Sequence, residues 1–195
     1  MIKTTVAWKL QKPDGSMLEK TDENSLIIAA KQDPQAFTGL YQCYVRKVFG
    51  YFYNRTNSIT EAEDLTAKTF LAALEALPKY KHNGYFAAWL FALARHKVMD
   101  HYRENRRVEP IENAEKLFTE SDPLQTIIHT ERVDALRTLI SDLPEKDLEL
   151  IRLRFIAELS FPEIGIVLKR KENTVKKSLY RLLDRLKNQL EISHE

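Results

Sequence analysis

Basic side chains recur at four-residue steps near the end of the chain, at Lys177, Arg181 and Arg185, with Lys176 alongside. On an α-helix this spacing places the cations on one face, where together they can reach phosphates and base edges in a DNA major groove. The surrounding segment 169–187 holds eight Lys or Arg against two acidic residues, which suits a polyanion. The alternative is a solvated cationic face on an amphipathic helix.

The residues around these cations have the length and pattern of a helix-turn-helix. Phe161–Leu168 is a short apolar segment that Ser160 is placed to cap, and a second helix is expected over 173–190. An apolar stripe on the second helix faces away from the cations and packs that helix against its neighbours. The stripe consists of Val175, Leu179, Leu182, Leu186 and Leu190.

Sequence signatures of enzymes and metal sites are missing. There is no Walker loop, glycine-rich dinucleotide turn, His-Glu-x-x-His motif or nucleophile elbow. His96 and His101 lie five positions apart, on different faces of a helix, which disfavours a shared metal ion. A single cysteine, Cys43, rules out an internal disulfide and a cysteine-based zinc site. We therefore expect a protein that is not an enzyme and needs neither cofactor nor metal.

Composition places the chain among cytoplasmic globular proteins. Its 195 residues are 44% hydrophobic and 30% charged, and no apolar run of about 18 residues is available to cross a bilayer. The first residues lack the apolar stretch and cleavage site of a signal peptide. The expected location is the cytoplasm, without membrane association.

The predicted fold is all-α, with two helical domains joined by a flexible linker. The divisions are an N-terminal extension 1–25, a first domain 26–108, a linker 109–131 and a helix-turn-helix domain 132–195. Net charge is +5 over 26–108, −5 over 109–131 and +2 over 132–195, so an acidic linker separates two basic modules. For 1–25, a hairpin turning at Pro13-Asp14-Gly15 and a mobile tail are both open.

Helical spacing of apolar residues and local breakers give the expected helices. In the first module Thr60 and Glu63 are placed as a capping box, and Pro78 ends that helix. A short helical turn near Ala114–Phe118 is expected in the linker. The predicted helices are 26–31, 36–53, 60–77, 85–105, 124–141, 145–157, 161–168 and 173–190.

Two sets of motifs resemble a known family, the extracytoplasmic-function sigma factors of bacterial RNA polymerase. The motifs similar to region 2 are Ala62-Glu63-Asp64-Leu65, Thr69-Phe70-Leu71, Phe86-Ala87-Ala88-Trp89-Leu90-Phe91-Ala92-Leu93-Ala94-Arg95 and Asp100-His101-Tyr102-Arg103. Those similar to region 4 are Leu143-Pro144, Glu163-Ile164, Thr174-Val175-Lys176 and Leu179-Tyr180-Arg181. Their order and spacing around an acidic linker make a chance match improbable.

The resemblance implies a sigma subunit that guides core RNA polymerase to promoter DNA and that an anti-sigma factor can hold inactive. The helix of Asp64 would dock on the polymerase, loop 79–84 with the Trp89 helix would hold the opened minus-10 strand, and helix 173–187 would read the minus-35 duplex. The implied polymerase contacts are Asp64, Leu65, Lys68 and Phe70. The implied DNA contacts are Tyr80, Lys81, His82, Asn83, Arg95, His96, Arg103, Lys171, Asn173, Thr174, Lys176, Lys177, Arg181 and Arg185.

Single-strand binding requires a basic groove and planar groups for stacking, which the loop and its neighbouring arginines can supply. Within the loop, Tyr80 and Asn83 are the predicted base contacts. For Phe86 and Trp89, core packing is the favoured interpretation, because both share a face with Leu93.

Three positions depart from the family's pattern. Ala67-Lys68 stands where Gln-Glu is common, on the implied polymerase face. Lys169 and Lys171 occupy a turn that usually has a Gly and a capping Ser, so Asn173 is the expected cap. His96 stands where Asn is frequent.

A competing hypothesis is an ordinary helix-turn-helix regulator that binds duplex DNA and uses 26–107 as an effector or dimerisation domain. A polymerase-docking face on the first module distinguishes the sigma factor from it.

Overall fold

The computed structural model describes residues 20–105 and 128–192, and throughout these ranges the regular structure is helical. The first module contains α1 (Lys20–Gln32), α2 (Phe37–Thr56), α3 (Ile59–Ala76) and α4 (Phe86–Asn105), with 3-10 turns at Pro34–Ala36 and Leu77–Lys79. The second contains α5 (Ile128–Ser141), α6 (Glu145–Ile151), α7 (Phe161–Leu168) and α8 (Glu172–Ile192), with a π-helical turn at Arg152–Ile156 after α6. The all-α prediction is confirmed.

Capping groups explain where several helices begin and end. Asp33 caps the 3-10 turn through its carboxylate, which accepts from the backbone N–H of Gln35, and Pro34 follows in the first turn, where its missing N–H costs nothing. The cap of α3 is Ser58, not Thr60, because the Ser58 hydroxyl accepts from the Glu61 N–H at 3.3 Å. Asn57 precedes it with φ 55° and ends α2, a left-handed conformation that Asn tolerates.

Two boundaries differ from the prediction. Helix α1 begins at Lys20, within the predicted extension 1–25, and α5 begins at Ile128, before the predicted linker ends. The proposed hairpin and the turn near Ala114–Phe118 lie outside the described residues, as does linker segment 106–127.

A core of aromatic and aliphatic side chains holds the first module together. Tyr51 and Phe52 of α2 are inaccessible to solvent, and Tyr51 packs against Phe91 of α4, with the two ring centres 5.7 Å apart. Edge-to-face geometry of this kind suits the quadrupoles of the rings. Other buried members of this core are Ile27, Leu40, Val48, Leu65, Leu77, Phe86, Leu90 and Val98.

The second module has a smaller, mostly aliphatic core. Its buried residues are Leu143, Leu150, Leu153, Leu159, Ile164, Val167, Val175, Leu179, Leu182 and Leu186. Helix α4 packs against α7, and α2 packs against the π-helical turn, so the two cores form one continuous apolar cluster. The modules are therefore docked on each other in this conformation.

In the described ranges no helix is both long enough and apolar enough to span a membrane.

Candidate nucleic-acid and polymerase interfaces

The helix-turn-helix is formed by α7, a tight turn and α8. Ser160 and Glu163 make a capping box at the start of α7, with the Ser160 N–H donating to Glu163 Oε2 at 2.7 Å. Gly165 approaches the turn so closely that a Cβ there would lie 2.8 Å from the Arg170 carbonyl oxygen. Lys169 ends α7 with φ 54° and ψ 44°, and Arg170 N–H donates to the Gly165 carbonyl at 2.9 Å. The turn thus adopts a glycine-type geometry with a lysine in the left-handed position.

Helix α8 separates apolar from cationic residues as the sequence predicts. Val175, Leu179, Leu182 and Leu186 are buried. Lys176, Lys177 and Arg181 are exposed on the remainder of the helix. Arg185 is also exposed, but its guanidinium pairs with Asp147 of α6 at 2.9 Å. Three of the four predicted cations on this helix are therefore presented to solvent, and the fourth is engaged within the module.

The start of α8 differs from the expectation. The helix begins at Glu172, so Asn173 lies inside it and does not cap it. The predicted cap is wrong because the carbonyl of Lys171 already accepts from the N–H groups of Thr174 and Val175. Lys171, Asn173 and Thr174 are all exposed at the start of α8.

Loop 79–84 carries Tyr80, a residue that is 8% exposed. The ring centre lies 4.5 Å from that of Trp89 and 5.7 Å from that of Phe86, and the Tyr80 carbonyl accepts a hydrogen bond from Lys31. Burial, and secondarily the nearby Glu23 carboxylate, raise the pKa of Tyr80 to about 12. Tyr80 is thus a neutral, packed side chain in this conformation. Its ring is turned away from solvent.

The rest of the loop is more accessible. Lys81 and Asn83 are exposed, and His82 is half-buried with Nδ1 3.3 Å from the Tyr80 hydroxyl. Gly84 has φ 81°, a backbone conformation that glycine adopts without strain. Phe86 is buried as expected, whereas Trp89 keeps part of its surface exposed beside the loop.

The three basic positions predicted on α4 have different surroundings. His96 is exposed. Arg103 is exposed and lies 3.5 Å from Asp100 on the same helix. Arg95 points to the second module, with its Nε 3.5 Å from Oε1 of Glu149. The docked conformation therefore engages Arg95 and leaves the other two accessible.

The residues implied to contact polymerase are divided between surface and core. Leu65 and Phe70 are buried, so they support α3 from within. Asp64 and Lys68 are exposed and pair with each other, with Lys68 Nζ 2.6 Å from Asp64 Oδ2. The hydrogen bond to Asp64, together with the negative charge of that carboxylate, raises the pKa of Lys68. The Lys68 ammonium is therefore charged at neutral pH.

The sequence-based prediction of the polymerase contacts did not include the exposed apolar side chains on the same face. Leu71 is 58% exposed, and Asp64, Ala67, Lys68 and Leu71 follow the three- and four-residue steps that share one helix face. Tyr41 of α2 is 42% exposed and its ring lies 4.7 Å from that of Phe70. The i, i+3, i+4, i+7 spacing was the available signal. We call Tyr41, Asp64, Ala67, Lys68 and Leu71 the α3 face.

No metal site emerges from residues 20–105 and 128–192, where no three His, Cys, Asp or Glu side chains come together. His101 contacts Glu61 at 3.4 Å instead.

Family models match both modules. The model described as Sigma-70 region 2 matches residues 40–108, and that described as Sigma-70, region 4 matches residues 134–186. The ECF RNA polymerase sigma factor ShbA of Streptomyces griseus subsp. griseus is 33% identical over 132 residues, which are 64% of this chain and 69% of the relative. This chain belongs to the ECF sigma factors.

Other comparisons agree with this family. BldN of Streptomyces coelicolor, also an ECF RNA polymerase sigma factor, is 32% identical over 153 residues, 76% of this chain and 58% of BldN. SigW of Bacillus subtilis is 28% identical over 172 residues, 82% of this chain and 91% of SigW. The chain thus spans little more than half of BldN but nearly all of SigW. The solved structure of CnrH in complex with the cytosolic domain of CnrY has the same fold, with TM-score 0.58, 22% identity and coverage of 86% of this chain and 96% of CnrH.

Residues at which this ECF sigma factor departs from the family's pattern lie on the α3 face and in the turn before α8. Ala67 and Lys68 lie exposed on the α3 face, where they give a methyl group and a cation paired to Asp64. Lys169 reproduces the left-handed turn, so the helix-turn-helix geometry persists without glycine at that position.

Proposed function

We propose that this ECF sigma factor binds core RNA polymerase in the cytoplasm and directs it to promoters whose minus-35 duplex is read by α8 and whose opened minus-10 strand is held by the first module. The observation that carries the proposal is the presence of both modules in one chain, each with its own exposed basic residues. In this role the chain selects DNA, and the polymerase performs the chemistry.

The minus-35 surface comprises Lys176, Lys177 and Arg181, with Lys171, Asn173 and Thr174 at the start of the helix. A helix that is packed on one side and cationic on the other can lie in a major groove, where Arg and Lys recognise guanine edges and phosphates. Arg185 joins this surface only when it leaves Asp147.

The minus-10 surface comprises loop 79–84 and the neighbouring part of α4. Lys81 and Asn83 are placed to meet phosphate and base, while the partly exposed Trp89 offers a ring face for stacking. Tyr80 supports this surface through its contact with Trp89, and its own contact with a base requires the ring to leave its packed position. Arg95, His96 and Arg103 extend the surface along α4.

The polymerase-docking surface is the α3 face. Exposed Leu71 supplies apolar area in the midst of charged side chains, which is the composition of a protein-binding patch with a polar rim. By its family, this sigma factor is expected to be held inactive by an anti-sigma factor.

The decisive experiment combines affinity capture by core RNA polymerase with transcription from genomic fragments in vitro. Leu71→Glu should lower holoenzyme formation by about tenfold or more, because it places a charge in the centre of the docking surface. Ile59→Glu is the matched control, since Ile59 is 60% exposed at the start of the same helix but off the α3 face. A protein that binds promoter duplex alone yet never supports initiation with core enzyme would instead be an ordinary helix-turn-helix regulator.

A further inference from the structure

A buried carboxylate of the second module lies among polar side chains of the first. Glu149 of α6 is 5% exposed. Its Oε1 accepts from the Tyr51 hydroxyl at 2.8 Å and lies 3.5 Å from Arg95 Nε, and its Oε2 pairs with Arg55. Burial, together with this carboxylate, raises the pKa of Tyr51, so its hydroxyl stays protonated and donates. These three partners belong to α2 and α4, and Arg152 of the second module lies farther away, with NH1 4.0 Å from Oε2.

A second set of contacts crosses the same interface. Arg152, 6% exposed, donates from Nε to Asn54 Oδ1 at 2.9 Å and from NH1 to Glu145 Oε1 at 2.7 Å. Glu145 Oε1 also lies 3.0 Å from Arg55 NH2. Buried charges are tolerated where they are paired and hydrogen-bonded, so one docking geometry of the modules satisfies these groups together, except for Arg55 Nε, which is buried without a hydrogen-bond partner.

Docking has consequences for the surfaces described above. It engages Arg95, covers the side of α4 that meets α7, and thereby ties α8, which packs on α7, to the first module. In a promoter complex α8 and α4 must reach DNA elements that lie apart. The docked state is therefore unsuited to reading both.

We propose that Glu149 is a latch that holds this sigma factor in a closed, autoinhibited state and competes with the promoter strand for Arg95. Release of the latch accompanies holoenzyme assembly, a consequence that rests on the function proposed above. Once the modules separate, water solvates Glu149, Arg55 and Arg95. The Glu149 carboxylate therefore stabilises the closed state and not the open state.

The interface also offers an internal control. Lys47 and Glu158 pair at 2.7 Å across the same modules, but their side chains are 38% and 64% exposed. An exposed pair of this kind contributes little, because water screens it and solvates both charges equally well when apart. Glu149→Gln should therefore open the molecule, and Glu158→Gln should not.

The first experiment measures the distance between the modules in the free full-length chain by single-molecule fluorescence transfer. Dyes are attached at Thr38→Cys and Lys187→Cys, both exposed positions, in a Cys43→Ser background. Glu149→Gln should raise the ratio of open to closed molecules by about tenfold, the size expected for lost hydrogen bonds to a charged group. Glu158→Gln should change it by less than about twofold. Equal ratios in the two variants would overturn the latch.

The second experiment locks the closed state reversibly. A Cβ at Gly50 of α2 would lie 3.1 Å from Cγ2 of Ile156, the position that a cysteine sulfur would take in a bridge between the modules. Gly50→Cys with Ile156→Cys in the Cys43→Ser background should oxidise with glutathione disulfide and then fail to bind core RNA polymerase. Reduction should restore binding.

The outcomes separate the latch from the proposed function. If the oxidised chain still forms holoenzyme, the closed state is not the inhibited one. If the two cysteines do not oxidise, the free chain does not adopt the docked geometry and the latch is overturned. If the reduced chain and its Cys43→Ser parent also fail to bind polymerase, the sigma function is wrong, and the fluorescence comparison of Glu149→Gln with Glu158→Gln still decides the latch.

Discussion

The two surfaces proposed to contact DNA are built on different principles. On α8, cations and core residues alternate with the helical period, so burial of Leu179 and exposure of Lys177 follow from their positions. In loop 79–84 no period applies, and Tyr80 is buried while its neighbour Lys81 is exposed. A basic residue on a helix can thus be assigned from spacing, whereas an aromatic residue in a loop must be located in the structure.

The strongest test of this difference is the stability of the loop variants. Tyr80→Ala should lower the free energy of unfolding by about 3 kcal/mol, as removal of a packed aromatic side chain does. Asn83→Ala should change it by less than about 0.5 kcal/mol, because Asn83 is exposed. Urea unfolding of the full chain measures both.

Tyr80→Phe is the matched control for the ring, since it removes only the hydroxyl and should retain most of the stability. A Tyr80→Ala protein as stable as its parent would show that the ring packs weakly. In that case Tyr80 would be free to reach a base, and the contrast with α8 would fail.

Much of the architecture was predictable because helical periodicity and local breakers act within a few residues. Helix α7 has the predicted bounds, and α4 is within one residue of them. The caps were less predictable. Ser58 and Thr60 both carry a hydroxyl near the start of α3, and only the backbone geometry selects Ser58.

Contacts between the modules could not be predicted from the sequence. Glu149 has the sequence context of a surface acid on a short helix, and its burial depends on Tyr51, Arg55 and Arg95, far away in the chain. The same holds for Arg95, which was predicted as a DNA contact and in this conformation faces a carboxylate. Such pairings arise from the docking of two preformed surfaces, which local spacing does not encode.

A second prediction concerns the cationic face of α8. Lys177→Ala and Arg181→Ala should each weaken binding of a promoter duplex by about 1–3 kcal/mol where the side chain meets a base edge. The free energy of unfolding should change by less than about 0.5 kcal/mol in both variants, since both residues are exposed. Fluorescence anisotropy with a duplex obtained from in vitro transcription of genomic fragments measures the affinity.

Lys187→Ala is the matched control for charge. Lys187 is exposed further along α8 and lies 3.7 Å from Glu191. If its removal weakens binding as much as that of Lys177 or Arg181, the helix contributes only a general positive field. If only Lys177→Ala and Arg181→Ala weaken duplex binding, these two side chains form a specific DNA-binding face on α8.

The smallest expected effect is in the turn before α8. Lys169 has a left-handed backbone that costs a residue with a Cβ about 1–2 kcal/mol, whereas glycine adopts it freely. Glycine also loses about 0.5–1 kcal/mol through the greater freedom of the unfolded chain. Lys169→Gly should therefore raise the free energy of unfolding slightly, by about 0.5 kcal/mol. Lys171→Gly should lower it, because Lys171 is not among the residues with positive φ. Thermal unfolding of the two variants side by side gives the sign, and equal destabilisation would mean that the turn lacks the left-handed residue on which the placement of α8 depends.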